Sequence, residues 1–272
     1  MKTNHLGTRT LVAALFLLML TCANVRAQEA DNILSQLHTF RVSNYTSLDA
    51  YYRYIGDGNT DTLNEIVSGI NAANDSMNLL AESDSGALTN QQIEELNGEF
   101  DKFKSLMRDN INEVRNTGYP DLRLASDMAN QALTMNNLAT EFYQIAQESS
   151  QVKTNTRVEA ARMGAVKIAQ MRAKYSVRTN SAVSQTFQGS STETSLDEQA
   201  MEFDQLLSTV VKGENEGELK ALLGDISSKW QFIRGSYINY NENNVGFVID
   251  RYSKRILENL TITIELLIQQ NN

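Results

Sequence analysis

The stretch MGAVKIAQMRAKYSVR, residues Met163 to Arg178, has the apolar rhythm of a buried helix but carries four positive charges and no negative charge. Apolar and small residues recur at steps of three and four, which places them on one helix face. That row consists of Val158, Ala161, Ala165, Ile168, Arg172 and Tyr175. A buried guanidinium needs an anionic partner, because an unpaired buried charge is costly. The stretch therefore predicts a core helix in which Arg172 contacts either a ligand anion or a carboxylate of the protein itself.

The same spacing recurs through most of the chain. Apolar rows with steps of three and four extend over 63–80, 93–107, 196–210, 223–237 and 249–267. Such rows are typical of helices that pack in bundles. The chain contains a single proline, so little interrupts these helices. The pattern predicts an all-α protein built from antiparallel four-helix-bundle units.

Two halves of the chain resemble each other. When Leu79–Asn112 is aligned without gaps on Leu206–Asn239, Phe103 meets Trp230. Identical residues occur at Leu79, Leu80, Gly86, Leu96, Lys102, Ile111 and Asn112. A fixed internal period indicates repeated structural units. We therefore expect two tandem units, the first over 28–150 and the second over 151–272.

The connection between the two units contains few helix breakers. From Asp121 to about Gln188 there is no proline, and the only glycine is Gly164. This composition predicts one long central helix that both units share. The alternative is a loop at ESSQVKTNT, residues 148–156, because Ser, Thr and Asn form helices less readily.

The N-terminus is typical of a secretory signal peptide. Lys2 and Arg9 precede the apolar run Leu11–Leu20, which is too short to span a bilayer, and Ala27 suits a cleavage site. The expected location is therefore the periplasm, with residues 1–27 removed. A lipoprotein attached through Cys22 is the less favoured alternative, since Thr21 is a poor residue at that position. Cys22 is the only cysteine, so the remaining chain can form no disulfide.

The net charge and the scarcity of catalytic motifs exclude several classes of function. The formal charge is −9, which argues against nucleic acid as a partner. Cleavage at Ala27 leaves His38 as the sole histidine, and the sequence has no HExxH motif and no glycine-rich phosphate loop. Glu94 and Glu95 fit a solvated helix face, and Trp230 fits core packing. We expect no enzyme activity, no cofactor and no metal.

A second apolar row also contains an arginine. It consists of Leu34, Leu37, Arg41, Tyr45 and Leu48. Lys167 lies beside the row that contains Arg172. The candidate ligand-binding residues are therefore Lys167, Arg172 and Arg41, and an anion is the expected ligand.

The segment MGAVKIAQMRAK resembles the first-helix motif of the PilJ-type domain. This domain is the periplasmic helical module of type IV pili methyl-accepting chemotaxis transducers, and it also occurs in nitrate/nitrite sensor kinases. Its motif is Gly-x-x-Arg-Met-x-x-x-Arg. Gly164 and Arg172 match the motif, while Lys167 and Ile168 stand where Arg and Met are expected. FDQLLSTVVKG and KWQFIRGSYI resemble the second and third helices, so the likeness covers about residues 157–267.

This resemblance implies a four-helix sensor domain. In the nitrate sensors the arginine binds the anion between two subunits, so a homodimer and a small anionic ligand are the interactions it implies. Lys167 in place of arginine loses the bidentate fork, which weighs against nitrate. The expected partner is a membrane receptor or a pilus or chemosensory component, because the sequence shows no further span or signalling module. The alternative is a structural or adaptor protein without a small ligand.

Overall fold

The computed structural model describes residues 6–149, 155–180, 194–242 and 244–270, with side chains from residue 31 onwards. The predicted all-α fold is confirmed, since every regular element in these ranges is a helix. The eight helices of the described ranges are α1 Leu6–Asp57, α2 Thr60–Ala81, α3 Asn90–Thr117, α4 Leu122–Ser149, α5 Thr156–Asn180, α6 Leu196–Val211, α7 Gly217–Ile238 and α8 Gly246–Gln269.

The helices begin and end at polar caps and glycines. Thr89 and Gln92 form a capping box at the start of α3, which satisfies backbone N–H groups that have no partner within the helix. Gly118 ends α3 with a φ of 82°, a left-handed conformation that favours glycine. Asp121 accepts hydrogen bonds from the first backbone N–H groups of α4. These short connections hold consecutive helices antiparallel.

The apolar rows form two adjoining cores. Helices α1 to α4 enclose the first, and α5 to α8 enclose the second. The arginine-containing rows of α1 and α5 are buried along their whole length, as predicted. Val177 of α5 belongs to the first core, and Val42 of α1 packs against the second. Helices α1 and α5 therefore join the two cores.

Helices α1 and α5 lie parallel and in a regular register. Ser35 contacts Arg162 and Asp49 contacts Ser176, and each pair is separated by 127 positions in the chain. The same separation relates Leu79 to Leu206 in the internal alignment. These two contacts thus join positions of α1 and α5 that are separated by the same distance in the chain.

The predicted continuous central helix is wrong. Tyr143 Oη on α4 donates to Glu159 Oε2 on α5 at 2.7 Å. Sixteen residues in one helix would separate these positions by about 24 Å. The chain instead reverses direction, and the Asn155 side chain accepts from the backbone N–H of Arg157 to start α5. Residues 150–154 and 181–188, over which the rod was also predicted, lie outside the described residues.

The N-terminal predictions concern a region whose side chains the structure does not describe. Helix α1 begins at Leu6 and so includes much of the predicted signal peptide, and cleavage at Ala27 stays a prediction. Within the part of the chain that the structure describes, no helix is both long enough and apolar enough to cross a membrane.

Gly69 allows α1 and α2 to pack closely. A β-carbon at this buried glycine would contact Ser47 Oγ and lie 3.2 Å from the backbone oxygen of Ser43. We expect Gly69→Ala to reduce the free energy of unfolding by about 1–3 kcal/mol, because backbone cannot move aside cheaply. Urea denaturation measures this change.

Gly98 provides the matched control for this prediction. It lies on the exposed face of α3, where an added β-carbon meets no atom within 4 Å. Gly98→Ala should therefore stabilise the protein by about 0.5–1 kcal/mol through helix propensity. Equal effects of the two substitutions would contradict the close contact at Gly69.

Candidate functional site

Arg172 is paired with carboxylates of the protein itself. Its side chain is 2 % exposed, and its Nη2 lies 2.6 Å from Asp250 Oδ1 and 2.7 Å from Asp49 Oδ2. Asp49 belongs to α1 and Asp250 to α8, so the guanidinium links three helices. Asp49 also accepts a hydrogen bond from Ser176 at 2.6 Å. The sequence left open whether Arg172 contacts a ligand anion or a carboxylate of the protein, and in the structure it contacts carboxylates of the protein.

Three further residues extend this arrangement. Arg53 Nε lies 3.1 Å from Asp49 and 3.2 Å from Asp250, and Arg53 also pairs with Glu65 of α2. Lys254 of α8 pairs with the same Glu65. We call this set the charge network: Asp49, Arg53, Glu65, Arg172, Asp250 and Lys254. Its three cations balance its three carboxylates, which allows Arg172 and Asp49 to be fully buried at its centre.

The pKa values reflect this mutual compensation. Burial by itself would lower the pKa of Arg172, but Asp49 and Asp250 raise it above the usual value for arginine. Burial would raise the pKa of Asp250, but Arg172 and Arg53 lower it below the usual value for aspartate. Arg172 and Asp250 are therefore ionised at neutral pH, and the charge network ties α1, α2, α5 and α8 together.

Lys167 lies on a different face of α5 from Arg172. Its Nζ is 2.6 Å from Glu202 of α6, and its side chain is 20 % exposed. Five residues along a helix correspond to a rotation of about 140°, so the two cations cannot point at one ligand. The structure does not bring Lys167, Arg172 and Arg41 together.

Arg41 differs from Arg162 and Arg172, the two other arginines that are buried in the described chain. Its side chain is nearly enclosed, at 9 % exposure, and its guanidinium carbon lies 5.4 Å from the ring centre of Tyr143. Among the described residues, no carboxylate lies within ion-pair distance of it. Its buried Nε has no hydrogen-bond partner there either. A buried guanidinium that has no carboxylate at ion-pair distance is left without full charge compensation, so an anion bound there would stabilise it.

Two other basic residues lie close to Arg41. His38 is 8 % exposed, and its Nδ1 is buried without a hydrogen-bond partner among the described groups. Arg162 of α5 is 1 % exposed, and its buried Nε also has no partner there. We call His38, Arg41 and Arg162 the basic cluster. It lies where α1, α4 and α5 meet, about 12 Å along α1 from Asp49.

The acids near the basic cluster are already engaged by Arg162. Its Nη2 lies 2.9 Å from Asp31 Oδ1, and its Nη1 lies 3.3 Å from Glu159 Oε1. Glu159 accepts a further hydrogen bond from Tyr143. Arg162 is therefore compensated, while Arg41 has only the weaker, longer-range electrostatic interactions with Tyr45, Tyr143 and Glu159.

Burial and the neighbouring guanidinium groups keep His38 neutral. Burial, followed by the charges of Arg162 and Arg41, lowers the pKa of His38 from 6.5 to about 3. Burial also lowers the pKa of Arg41 from its usual value. A neutral imidazole beside an unpaired guanidinium can donate a hydrogen bond to an anion without adding further repulsion between cations.

Sequence reasoning found Arg41 but missed Arg162 and assigned His38 only a structural role. A local signal for Arg162 existed, because Glu159 and Arg162 are spaced to form an ion pair on one helix face. The proximity of Arg162 to Arg41 depends on how α1 packs on α5, and no local pattern encodes it.

The remaining sequence predictions concern structural side chains. Trp230 is a core residue as expected: its ring centre lies 4.5 Å from that of Phe203, and its N–H donates to Asp204 at 2.7 Å. Glu94 and Glu95 are exposed, as predicted for a solvated face. In the described ranges no three His, Cys, Asp or Glu side chains converge as a metal site would require.

The arrangement of the basic cluster suits electrostatic binding of a small anion. Arg41 supplies unpaired charge, His38 a neutral hydrogen-bonding group, and Arg162 a second guanidinium held in place by its own acids. Comparisons of the chain with protein-family models, with curated proteins and with solved structures find no match.

Proposed function

We propose that this protein is a non-enzymatic, exported, sensor-like helical module that binds a small anion at the basic cluster. The observation that carries this proposal is the unpaired, nearly enclosed guanidinium of Arg41. An anion there would gain a strong interaction, since charges attract more strongly where water is excluded. Binding would also remove the cost of leaving Arg41 uncompensated.

The proposed site differs from the one that the PilJ resemblance implies. Arg172 and Lys167 match the motif positions, but both are already paired with carboxylates. Arg41 belongs to the equivalent apolar row of the first half of the chain. The sensor function therefore rests on Arg41, and the motif positions serve to fix helix packing.

The position of the basic cluster suggests how binding would be transmitted. Its members come from α1 and α5, and α4 contributes Tyr143. Helices α1 and α5 join the two cores, so an anion that pulls Arg41 and Arg162 together favours one packing of α1 on α5. A ligand shifts such an equilibrium by its difference in affinity for the two arrangements. We propose that a membrane receptor or a pilus or chemosensory component detects the favoured arrangement.

Thermal unfolding with a panel of anions tests the proposal. The full chain is heated with sodium nitrate, phosphate, sulfate or acetate, each compared with sodium chloride at equal ionic strength. An anion at a hundred times its dissociation constant should stabilise the protein by about 2.7 kcal/mol. For a chain of this length the melting temperature should then rise by several degrees.

Two variants locate the site. Arg41→Met keeps the length and apolar stem of the side chain but removes its charge, so the anion-dependent shift should disappear. Lys167→Ala removes a cation that is paired on another face of α5, so the shift should remain. A shift that Arg41→Met leaves unchanged would place the anion elsewhere, and no shift with any anion would refute the proposal.

A second candidate function is a structural or adaptor role without a small ligand. Tyr119 before α4 and Phe247 at the start of α8 are each 77 % exposed. Both lie at the end of the molecule where α1 and α5 finish, since Asn110 of α3 bonds Tyr51 and Asn244 bonds Thr179. Exposed aromatic side chains are frequent anchors of protein interfaces.

The double variant Tyr119→Ser/Phe247→Ser tests this second candidate. Under the adaptor hypothesis it should lose co-purification of a partner that the unaltered protein retains, while its melting temperature stays the same. Under the sensor hypothesis alone it should keep the full anion-dependent shift.

A further inference from the structure

Asn44, which follows Arg41 by three residues on α1, carries a buried amide group without hydrogen-bond partners among the described residues. It is 0 % exposed, and neither its amide nitrogen nor its amide oxygen has a hydrogen-bond partner among the described groups. Buried amides in native proteins are almost always hydrogen-bonded, so each exception requires an explanation. Asn44 needs one group that accepts a hydrogen bond and one that donates a hydrogen bond.

Asn44 lies beside Arg41 on α1. Residues three apart on a helix are neighbours, with β-carbons about 5–6 Å apart. His38, Arg41 and Asn44 follow one another at this spacing, so they form a continuous polar strip over two turns of α1. The strip offers an imidazole nitrogen, a guanidinium N–H and a complete amide, all buried and all without partners.

The chemistry of the strip defines a complementary ligand. A carboxylate accepts from the guanidinium of Arg41. A hydroxyl both donates and accepts, so a single hydroxyl satisfies both halves of the Asn44 amide. The rise between Arg41 and Asn44 is about 4.5 Å, which suits a hydroxyl one or two carbons from the carboxylate. An ammonium in that place would be repelled by the guanidinium of Arg41.

We propose that the polar strip binds a short hydroxycarboxylate, with its carboxylate on Arg41 and its hydroxyl on Asn44. This inference rests on the proposed function, because it identifies the chemical class of the anion at the same site. A simple inorganic anion would satisfy Arg41 and leave Asn44 without partners.

Three acids with one carbon skeleton test this assignment. Propionate, lactate and alanine carry hydrogen, hydroxyl and ammonium at the same carbon, so they differ only in the group that would meet Asn44. Isothermal titration calorimetry of the full chain should give lactate an affinity about tenfold higher than that of propionate, as expected for a satisfied buried amide. Alanine should bind more weakly than propionate.

The variant Asn44→Leu assigns the preference to the amide. Leucine has a similar volume and no unmet polar atoms, so this variant should fold at least as well as the unaltered protein. Its affinities for lactate and propionate should become equal, while Lys167→Ala should keep the tenfold difference. If Asn44→Leu does not fold, the comparison of the three acids in the unaltered protein still decides the question.

The two proposals fail in different ways. Equal affinities for lactate and propionate in the unaltered protein, or a preference that survives in Asn44→Leu, would overturn the hydroxycarboxylate while leaving anion binding in place. If neither acid binds and nitrate, phosphate and sulfate also fail to bind, the proposed function falls as well.

Discussion

Replacing Arg172 with methionine should lower the free energy of unfolding by about 3–5 kcal/mol, the usual cost of removing one partner from a buried ion pair. Arg172 and Asp49 are 2 % and 1 % exposed, and the Nη2–Oδ2 distance between them is 2.7 Å. The substitution leaves the charge network with three carboxylates and two cations. Arg53 still contacts Asp49 and Asp250, which favours the lower end of this range. Urea denaturation followed by circular dichroism measures the loss.

Lys167→Ala is the matched control for this prediction. Lys167 lies on the same helix and is also paired with a carboxylate, but its partner Glu202 is 47 % exposed. Partly exposed pairs contribute at most about 1 kcal/mol, so Lys167→Ala should change stability little. If Arg172→Met costs less than about 1 kcal/mol, Arg172 is not needed for packing and its role as a ligand-binding residue returns.

The second large effect is a pH dependence that comes from His38. Its pKa is about 3 in the folded protein, against 6.5 for an unperturbed histidine. Above pH 6.5 His38 is neutral in both the folded and the unfolded protein, so it adds no pH dependence to the free energy of unfolding. Below pH 6.5 only the unfolded chain takes up the proton, so folding stability falls by about 1.4 kcal/mol per pH unit. At pH 4 the loss should reach about 3 kcal/mol, measured as the change in free energy of unfolding between pH 7 and pH 4.

His38→Leu separates this effect from the titration of carboxylates. Glu65 and Asp250 have lowered pKa values, so the stability that they contribute is also lost as the pH falls. That loss is common to both proteins, and the difference between them reports His38. The slope between pH 6.5 and pH 4 should be smaller in His38→Leu. Identical slopes would show that His38 takes up its proton in the folded state, and so is not buried beside two guanidinium groups.

The sequence alone determined the helices and their buried faces. Steps of three and four placed Leu34, Arg41, Ala165 and Arg172 on buried rows, and all four are buried. A glycine that ends a helix is a local signal of the same kind, as at Gly118, where a positive φ ends α3. The apolar period of a helix and the conformational freedom of glycine act over a few residues, and a sequence displays them directly.

The partners of the buried charges were decided only by tertiary structure. The sequence could not distinguish a ligand from a carboxylate for Arg172, because Asp49 and Asp250 are more than seventy positions away. The absence of helix breakers predicted one rod through 150–154, whereas the contact between Tyr143 and Glu159 requires a reversal.

For Arg41 too, the sequence predicted burial, while the tertiary structure decided which charges lie around it. Its row predicted burial, but its lack of an acid followed from the positions of Glu159 and Asp31 around Arg162 on the neighbouring helix. Burial follows from periodicity along one helix, which local sequence contains. Charge compensation depends on distances of a few ångströms between helices that are far apart in the chain, and only their packing sets those distances.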